Sequence, residues 1–392
     1  MIFNTFAYFI LFLVPAAIGF RVVRPAFQPW VCITFGAAFF VFFSLTEVGG
    51  VAGAMCLLVF VWESLFSRLY RRGSVLCLVG IVQTLAILFA FKYWNFFTGL
   101  IFGGQPHNPA YWVGAFLPLG VSFFTFEFIH YAVDRYRGTT VAGSFGQYLA
   151  FILFFPTMVA GPIKRYQDFL PKLAQPSLAW QKDWELGSTR ILVGLAKKFA
   201  IADLLTAFTN HLNQADIALA QRWVLPFWLL AYGMKIYADF SAYSDIAIGS
   251  ARLFGIRVPE NFDWPYARRN IAEFWGHWHM SLYRWLIDYV FIPLGGSRTA
   301  QPRVYLNVLI TMFISGLWHG AGLNFVVWGL WHGLLLALHR AWSRWHRVGT
   351  PPTRLGTALS WGLTFLCVNL GWAFFCMDLR TSIAFFKRLF IG

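Results

Sequence analysis

Long apolar runs, each close to the length of a membrane-spanning helix, recur along almost the whole chain. The first five lie at 2–20, 28–46, 51–66, 75–97 and 111–133. A helix needs about 20 predominantly apolar residues to cross the hydrocarbon core of a bilayer. The runs also lack the alternation of apolar and polar residues that marks a membrane β-barrel. They therefore predict an all-α, polytopic integral membrane protein.

Five further runs continue this pattern, at 191–212, 222–252, 304–321, 323–342 and 356–377. Allowing for short connections, the chain predicts about 10–12 membrane helices in a single membrane domain over 1–392. Within it we expect N-terminal helices up to residue 140, a core over 141–340 and a C-terminal helix and tail over 341–392. Charged residues make up only 12% of the chain, about half the share of a soluble protein, which leaves no room for a sizeable soluble domain.

The connections between the early runs alternate between basic and neutral. Arg21 and Arg24 follow the first run, Glu47 follows the second, and Arg68, Arg71 and Arg72 follow the third, a succession of basic, neutral and basic turns. Because Lys and Arg concentrate in cytoplasmic loops, this succession predicts an N-terminus outside. The net charge of +15 is dispersed over such loops, so it does not indicate nucleic-acid binding. The five cysteines lie in apolar stretches without metal-ligand spacing, and we expect no metal site.

One apolar run is interrupted in a way that a regular helix does not tolerate. Pro156, Gly161 and Pro162 fall within FFPTMVAGPIKRY at 154–166. Proline inside a helix removes a backbone hydrogen bond and clashes with the preceding turn, so we predict a broken or re-entrant helix here. The polar connection at 164–190 should follow as short surface helices on the cytoplasmic side.

Polar side chains gather in three islands inside the apolar runs. The first, YADFSAYSD, contains Asp239, Ser241, Tyr243 and Asp245, which a helix would present as two pairs at i and i+4. A charge at the centre of a membrane span costs about 2.5–3.5 kcal/mol on insertion scales, so these positions need a reason. The carboxylates are either neutralised by arginines or in contact with a substrate, and the residues alone leave both open.

The second island, at 273–298, is rich in tryptophan and includes Trp275, His277, Trp278 and His279. Two histidines two residues apart point in directions about 200° apart on a regular helix, so a shared metal is not indicated. The tryptophans are also typical of an aromatic belt at the membrane interface.

The third island, SGLWHGAGLNFVVWGLWHG at 315–333, carries two histidines. His319 lies between glycines that permit close approach of a helix or a ligand chain, and His332 occupies a second WHG. Each histidine is either a packing residue or part of a catalytic site. Six of the nine histidines fall between 277 and 346, which favours joint action by some of them.

Two other classes of function, a transporter and a scaffold, compete with that of an enzyme. In a transporter, Glu63, Glu127, Asp239 and Asp245 would form an ion path, but such proteins show paired broken helices in two related halves, and this sequence has one clear interruption. In a scaffold for an export complex, the histidines of the second and third islands would have no special role.

The three islands lie within longer motifs that run in the order of a known family. The motifs are PLGVSFFTFEFIHYAVDRYRG (118–138), FFPTMVAGPIKRYQDFLPKL (154–173), GLAKKFAIADLL (194–205), YADFSAYSDIAIGSARLFGIRVPENFDWPY (237–266), FWGHWHMSLYRWLIDYVFIPLGGSR (274–298) and SGLWHGAGLNFVVWGLWHG (315–333). Over most of its length the chain resembles the membrane-bound O-acyltransferases, and in particular the bacterial branch that modifies cell-surface polysaccharides.

The resemblance implies a fold of membrane helices around a central tunnel in the bacterial inner membrane. His319 matches the family's catalytic histidine, and His279 matches its second signature position. We expect the other polar and aromatic side chains of the islands to bind substrate, namely Asp239, Ser241, Tyr243, Asp245, Trp275, His277, Trp278, Trp318, Asn324 and His332. A neutral imidazole at His319 would act as a general base, an effect of about 10²–10⁴-fold in rate.

The resemblance also implies substrates and partners. The donor is expected to be an acyl thioester such as acetyl-CoA, with no tightly bound cofactor. Its phosphates would be attracted by four basic residues, Lys164, Arg165, Arg268 and Arg269. The acceptor would be a polysaccharide or an extracytoplasmic acetyltransferase partner that passes the group on. D-alanyl transfer to a teichoic-acid-like polymer is the alternative within the same family.

Overall fold

The computed structural model describes residues 2–102, 119–140, 143–159, 161–345 and 353–391. Helices dominate it, and the described residues form no β-strand beyond one isolated bridge between Phe262 and Trp278. The all-helical prediction is confirmed. The chain divides into two compact units, a first unit of residues 1–195 and 243–259 and a second unit of residues 196–242 and 260–392.

The early helices belong to the first unit. They are α1 (Val14–Val22), α2 (Gln28–Phe43), α3 (Gly50–Phe66), α4 (Val75–Leu88), α5 (Trp94–Phe102), α6 (Val121–Arg137), α7 (Phe145–Ile152), α8 (Tyr166–Ala174) and α9 (Trp180–Lys197). Wider π-turns adjoin several of them, as at Tyr8–Leu13 before α1. The part of the run predicted at 111–133 that precedes residue 119 lies outside the described residues.

The later helices belong to the second unit, except that α12 continues into the first. They are α10 (Thr206–Thr209), α11 (Gln214–Leu219), α12 (Leu225–Leu253), α13 (Ile271–His277), α14 (Met280–Leu286), α15 (Gln301–His319), α16 (Leu323–Trp345), α17 (Arg354–Cys376) and α18 (Leu379–Phe390). The predicted boundaries of the core, at residues 140 and 340, therefore differ from those of the two units.

Among the described residues, four helices are long and apolar enough to cross a membrane, over Pro25–Val48, Gly50–Leu69, Val75–Ile101 and Arg354–Cys376. Each matches an apolar run of the sequence. The run at 191–212 behaves differently, because α9 ends at Lys197 and is followed by a π-turn, Lys198–Ala202, and a short α10. The total of 10–12 crossings stays a prediction.

The interruption after α7 is present as predicted from its prolines. A single 3₁₀ turn, Phe155–Thr157, follows α7, and no further helix begins before Tyr166 in the described part of this stretch. Gly161 packs so closely that an added Cβ would lie 2.5 Å from the Cα of Thr157. The break is thus part of the packed interior of the first unit.

Aromatic side chains form much of the core of the first unit. The Tyr8 ring lies 4.9 Å from Phe3 and 6.0 Å from Phe155, in edge-to-face geometry, and its hydroxyl donates to Ser250 Oγ at 2.9 Å. Such ring pairs contribute about 0.5–1.5 kcal/mol beyond the area that they bury. The hydroxyl keeps its hydrogen bond, as a buried tyrosine requires.

A buried carboxylate connects three parts of the first unit. Asp183, on α9, accepts from Arg252 Nε at 2.7 Å and from an Arg21 guanidinium nitrogen at 3.1 Å. Burial by itself would raise the pKa of Asp183, but hydrogen bonds from Ser177, Arg21 and Arg252 hold it below its ordinary value. The carboxylate therefore stays charged and holds α9 against the chain around both arginines.

Candidate active site

The backbone turns sharply at His279, in the second unit. α13 begins at the Asn270 cap, whose Oδ1 accepts from the backbone N–H of Glu273 at 2.9 Å, and ends at His277. Trp278 is extended and His279 has φ 43°, in the left-handed region, before α14 begins. The two neighbouring histidines therefore do not share one helix, and the angular argument made for a regular helix does not apply to them.

Asn261 holds the His279 turn in place. Its backbone carbonyl accepts from Met280 N at 2.9 Å, and its side-chain Oδ1 accepts from the Ser281 hydroxyl at 2.6 Å. Asn261 is itself fully buried. A left-handed conformation is costly for a non-glycine residue and persists only where the surroundings fix it. The sequence analysis did not single out Asn261, although it lies in the family motif at 237–266.

The His279 side chain is 1% exposed. Its ring lies 4.6 Å from Phe240 and 6.2 Å from Trp318. Neither ring nitrogen has a hydrogen-bond partner among the described residues. A buried donor or acceptor without a partner is unfavourable by about 1–3 kcal/mol, so these nitrogens are available to a polar group of a ligand.

His319 is the last residue of α15 and is half-buried. Its ring lies 4.7 Å from Trp318, 5.0 Å from Trp328 and 4.9 Å from Phe375. Trp318 thus contacts both His279 and His319. The second unit thus brings the two histidines that the resemblance marked into contact with one indole ring.

His332, on α16, lies in an aromatic cage. It is fully buried, 5.2 Å from the Trp275 ring and 5.0 Å from Trp328. Both of its ring nitrogens, and the indole nitrogens of Trp275 and Trp328, lack a hydrogen-bond partner in the described part of the chain. Since Trp328 also contacts His319, the cage adjoins the catalytic candidate.

Three other predicted residues of the second unit have defined neighbours. Trp278 stacks on Phe274 at 5.6 Å, and His277 lies against the Glu273 carbonyl at 2.7 Å with its Nε2 3.5 Å from Asp263. Asn324 donates to the Phe374 carbonyl at 3.1 Å, which joins α16 to α17. These contacts position helices around the histidines, and none of them involves His279 or His319.

The four polar residues of the first island fall into both units. In the second unit, Asp239 lies 3.0 Å from Lys198, and Ser241 donates to the Ala238 carbonyl. In the first unit, Asp245 accepts from Arg190 Nε at 2.6 Å and Tyr243 packs on Phe3. Each carboxylate has a basic partner, Lys198 for Asp239 and Arg190 for Asp245, which agrees with the alternative of neutralisation.

The basic residues expected to attract donor phosphates differ in their surroundings. Lys164 is 2% exposed and donates to Glu127 Oε1 at 2.6 Å, so it lies inside the first unit and not on the expected surface. Arg268 pairs with Asp263 at 2.8 Å, Arg165 is half-buried at the start of α8, and Arg269 is exposed. The hydropathy of the sequence does not reveal the ion pair with Glu127 that accompanies the burial of Lys164.

Within the ranges that the structure describes, no three His, Cys, Asp or Glu side chains are grouped so that they could hold a metal ion. The imidazoles of His279, His319 and His332 can accept a proton or hydrogen-bond to a carbonyl or hydroxyl.

The comparisons with known proteins place the chain in one family of membrane enzymes. A model of the membrane-bound O-acyltransferase family matches residues 35–377. A protein of Pseudomonas aeruginosa named as a probable alginate O-acetylase is 40% identical over 323 residues, which are 80% of this chain and 60% of that protein. The chain thus spans about three fifths of the length of this relative.

The names of two further relatives specify other polymers. A peptidoglycan O-acetyltransferase of Helicobacter pylori is 30% identical over 99% of this chain and 80% of its own length. A teichoic acid D-alanyltransferase of Bacillus subtilis is 29% identical over 82% of this chain and 84% of its own length.

Proposed function

The chain belongs to the membrane-bound O-acyltransferase family, and on this premise we propose that it transfers an acetyl group from a thioester donor to a hydroxyl acceptor. The single observation that carries the proposal is that His279 and His319 both contact Trp318, in the motifs where the family has its signature histidines. The named relatives that transfer acetyl groups support the choice of acyl group.

The proposed step uses His319 as the base. The acceptor oxygen attacks the thioester carbonyl while His319 takes the hydroxyl proton. The carbon–sulfur bond then breaks, and the proton passes to the departing thiolate. His319 occupies the C-terminal end of α15, where the helix dipole stabilises the positive charge that the imidazole acquires.

His279 is proposed to act on the carbonyl. A ring N–H of this buried imidazole would donate to the carbonyl oxygen as negative charge develops there. The aromatic lining of Phe240, Trp318 and Trp328 supports a water-poor site, in which such a hydrogen bond is stronger and hydrolysis of the thioester is suppressed.

The acceptor is proposed to be an extracytoplasmic polysaccharide, or a partner acetyltransferase that passes the group to the polymer. The donor is made in the cytoplasm, and a protein of the bacterial inner membrane can join the two sides. Transport is less well supported, because Glu127 and Asp245 in the first unit, and Asp239 in the second, each have a basic partner.

D-alanyl transfer is the second candidate. The relative named as a teichoic acid D-alanyltransferase is covered over 84% of its length, a larger share than the 60% of the alginate relative. Mass spectrometry of the surface polymer separates the two candidates, because an acetyl and an alanyl ester add different masses.

The test compares two histidine substitutions. His319→Ala should abolish esterification of the surface polymer, whereas His211→Ala should leave it unchanged, because His211 is an exposed residue paired with Asp216. Membrane fractions must contain equal amounts of both variants. Full polymer acetylation by an inserted His319→Ala chain would exclude His319 as the base.

A further inference from the structure

The second unit also contains a cavity lined by residues that have no role in the proposed reaction. It has a volume of about 570 Å³ and lies among α14, α15, α16 and the turn that follows α14. Tyr283, Ile287 and Met312 give it an apolar side, whereas Thr311, Arg340 and Arg344 give it a polar side. His279, His319 and His332 do not line it, so it is separate from the histidine site.

The polar side of this cavity is cationic. Arg340 and Arg344 are four residues apart on α16 and therefore lie on one face of that helix. Hydroxyl groups of Ser297, Thr311 and Ser343 accompany them, and none of the described residues that line the cavity is acidic. The Thr311 hydroxyl already donates to the Asn307 carbonyl at 2.7 Å, so the cavity offers two guanidinium groups and the hydroxyls of Ser297 and Ser343.

Arg340 provides the second observation. Its Nε is buried and has no hydrogen-bond partner in the described part of the protein. A buried charged donor is costly unless an acceptor meets it. The planar guanidinium suits the paired oxygens of a phosphate, and charge-assisted bonds of this kind are the stronger class of hydrogen bond.

We propose that this cavity binds a phosphate-bearing group of an amphiphilic ligand, with the phosphate at Arg340 and Arg344 and an uncharged arm along the apolar side. Two sources of such a group fit, a coenzyme thioester and a phospholipid headgroup. The coenzyme source rests on the proposed function, since the thioester would then be the acetyl donor. The lipid source is independent of it.

An aromatic chain connects the cavity to the histidine site. Tyr283, in the cavity wall, stacks on Trp275 at 6.4 Å. Trp275 packs on Trp328 at 5.7 Å, and Trp328 lies 5.0 Å from His319. Arg340 lies eight residues beyond His332 on α16, which corresponds to about 12 Å along the helix axis. A donor held at Arg340 would therefore need an arm between its phosphate and its thioester, as coenzyme A has.

The test uses Arg340→Gln and Arg344→Gln in the purified full-length chain, with Arg354→Gln as the matched control. Arg354 is an exposed arginine at the start of α17 and does not line the cavity. In the first arm, calorimetry measures the affinity of each chain for coenzyme A and for pantetheine, which lacks the phosphates. In the second arm, native mass spectrometry measures retention of phosphatidylglycerol from nanodiscs.

The coenzyme source predicts that each cavity variant binds coenzyme A about ten-fold or more weakly, while its affinity for pantetheine is unchanged. The lipid source predicts loss of bound phosphatidylglycerol in the cavity variants alone. Folded cavity variants that match Arg354→Gln in both arms would overturn the proposal. Both arms measure binding, so they remain decisive even if His319→Ala shows that the proposed reaction is wrong.

Discussion

At His279 the chain adopts a left-handed conformation that histidine tolerates better than most residues. Only Trp264 shares this feature among the non-glycine residues that the structure describes. Asn261 and Ser281 hold the turn, and the ring is directed to Phe240 and Trp318. Backbone outliers of this kind cluster at functional sites, where strain positions a side chain. The backbone and the ring of His279 therefore make separable contributions.

Three substitutions at this position separate backbone from ring. His279→Ala should lose acetyl transfer and lower stability, because it removes a buried ring and leaves a cavity while keeping the strained left-handed conformation. His279→Gly should also lose activity, yet unfold at a higher temperature than His279→Ala, because glycine adopts positive φ without strain. His279→Asn, with a side chain suited to this conformation, should keep the stability and part of the activity.

Thermal unfolding in detergent and acetyl transfer to the polymer are the two measurements. Equal unfolding temperatures for the glycine and alanine variants would show that the backbone at this position carries no strain. Full activity of the glycine variant would show that the imidazole is dispensable.

From the sequence, the role of a single residue could be predicted only where that residue occupies a signature position of a family motif. The resemblance marked His279 and His319, and the structure brings both to Trp318. The resemblance could not predict the turn at His279, because that turn depends on Asn261, a residue 18 positions earlier in the chain. Nor could it show that Lys164 is buried against Glu127, because a lysine in a polar stretch has the same local pattern whether it faces water or a carboxylate.

At the scale of elements, the α15–α16 pair carries His319 and His332 and depends on small residues. A Cβ added at Gly316 would overlap the backbone oxygen of Phe325, and one added at Gly329 would overlap that of Met312. The backbones of the two helices thus approach closely at this pair of glycines. Lipid-embedded helices associate by such packing, because burial of apolar surface offers little gain inside a bilayer.

Gly316→Ala should therefore destabilise the second unit by about 1–3 kcal/mol, the usual range for overpacking. Polymer acetylation should fall as well, because Gly316 lies three residues before His319 on the same helix. Gly362→Ala is the control, since Gly362 lies in the middle of α17 and an added Cβ there meets no atom within 4 Å.

Thermal unfolding of both glycine variants, with activity measured on equal amounts of inserted protein, checks this expectation. If Gly316→Ala left both the unfolding temperature and the activity unchanged, the close approach of α15 and α16 would not be needed for the site.

Helices were predicted well where an apolar run is continuous, as for α2, α3 and α17. The run at 191–212 was expected to be one helix, but it is broken after α9. Lys198 lies at the break and pairs with Asp203 at 2.6 Å and with Asp239 at 3.0 Å. An average of hydropathy along a window cannot detect the ion pair with Asp239, which lies outside the run.

At the scale of the whole molecule, the distribution of the few charged residues among the connections predicts how the chain is oriented in the membrane. The proposed reaction needs a donor side and an acceptor side, and the alternation of basic and neutral connections predicts which side is which. On this assignment the turn after α2, with Glu47, faces outward, and the turn between α3 and α4, with Arg71, faces the cytoplasm.

Single cysteines placed at these two turns test the orientation. Glu47 and Arg71 are both exposed, whereas Cys32, Cys56 and Cys77 are buried, so replacing Cys367 and Cys376 by alanine gives a background of low reactivity. In spheroplasts, a membrane-impermeant maleimide should label Glu47→Cys at once and Arg71→Cys only after the membrane is opened. The reverse pattern would place the N-terminus in the cytoplasm and would exchange the proposed donor and acceptor sides of the enzyme.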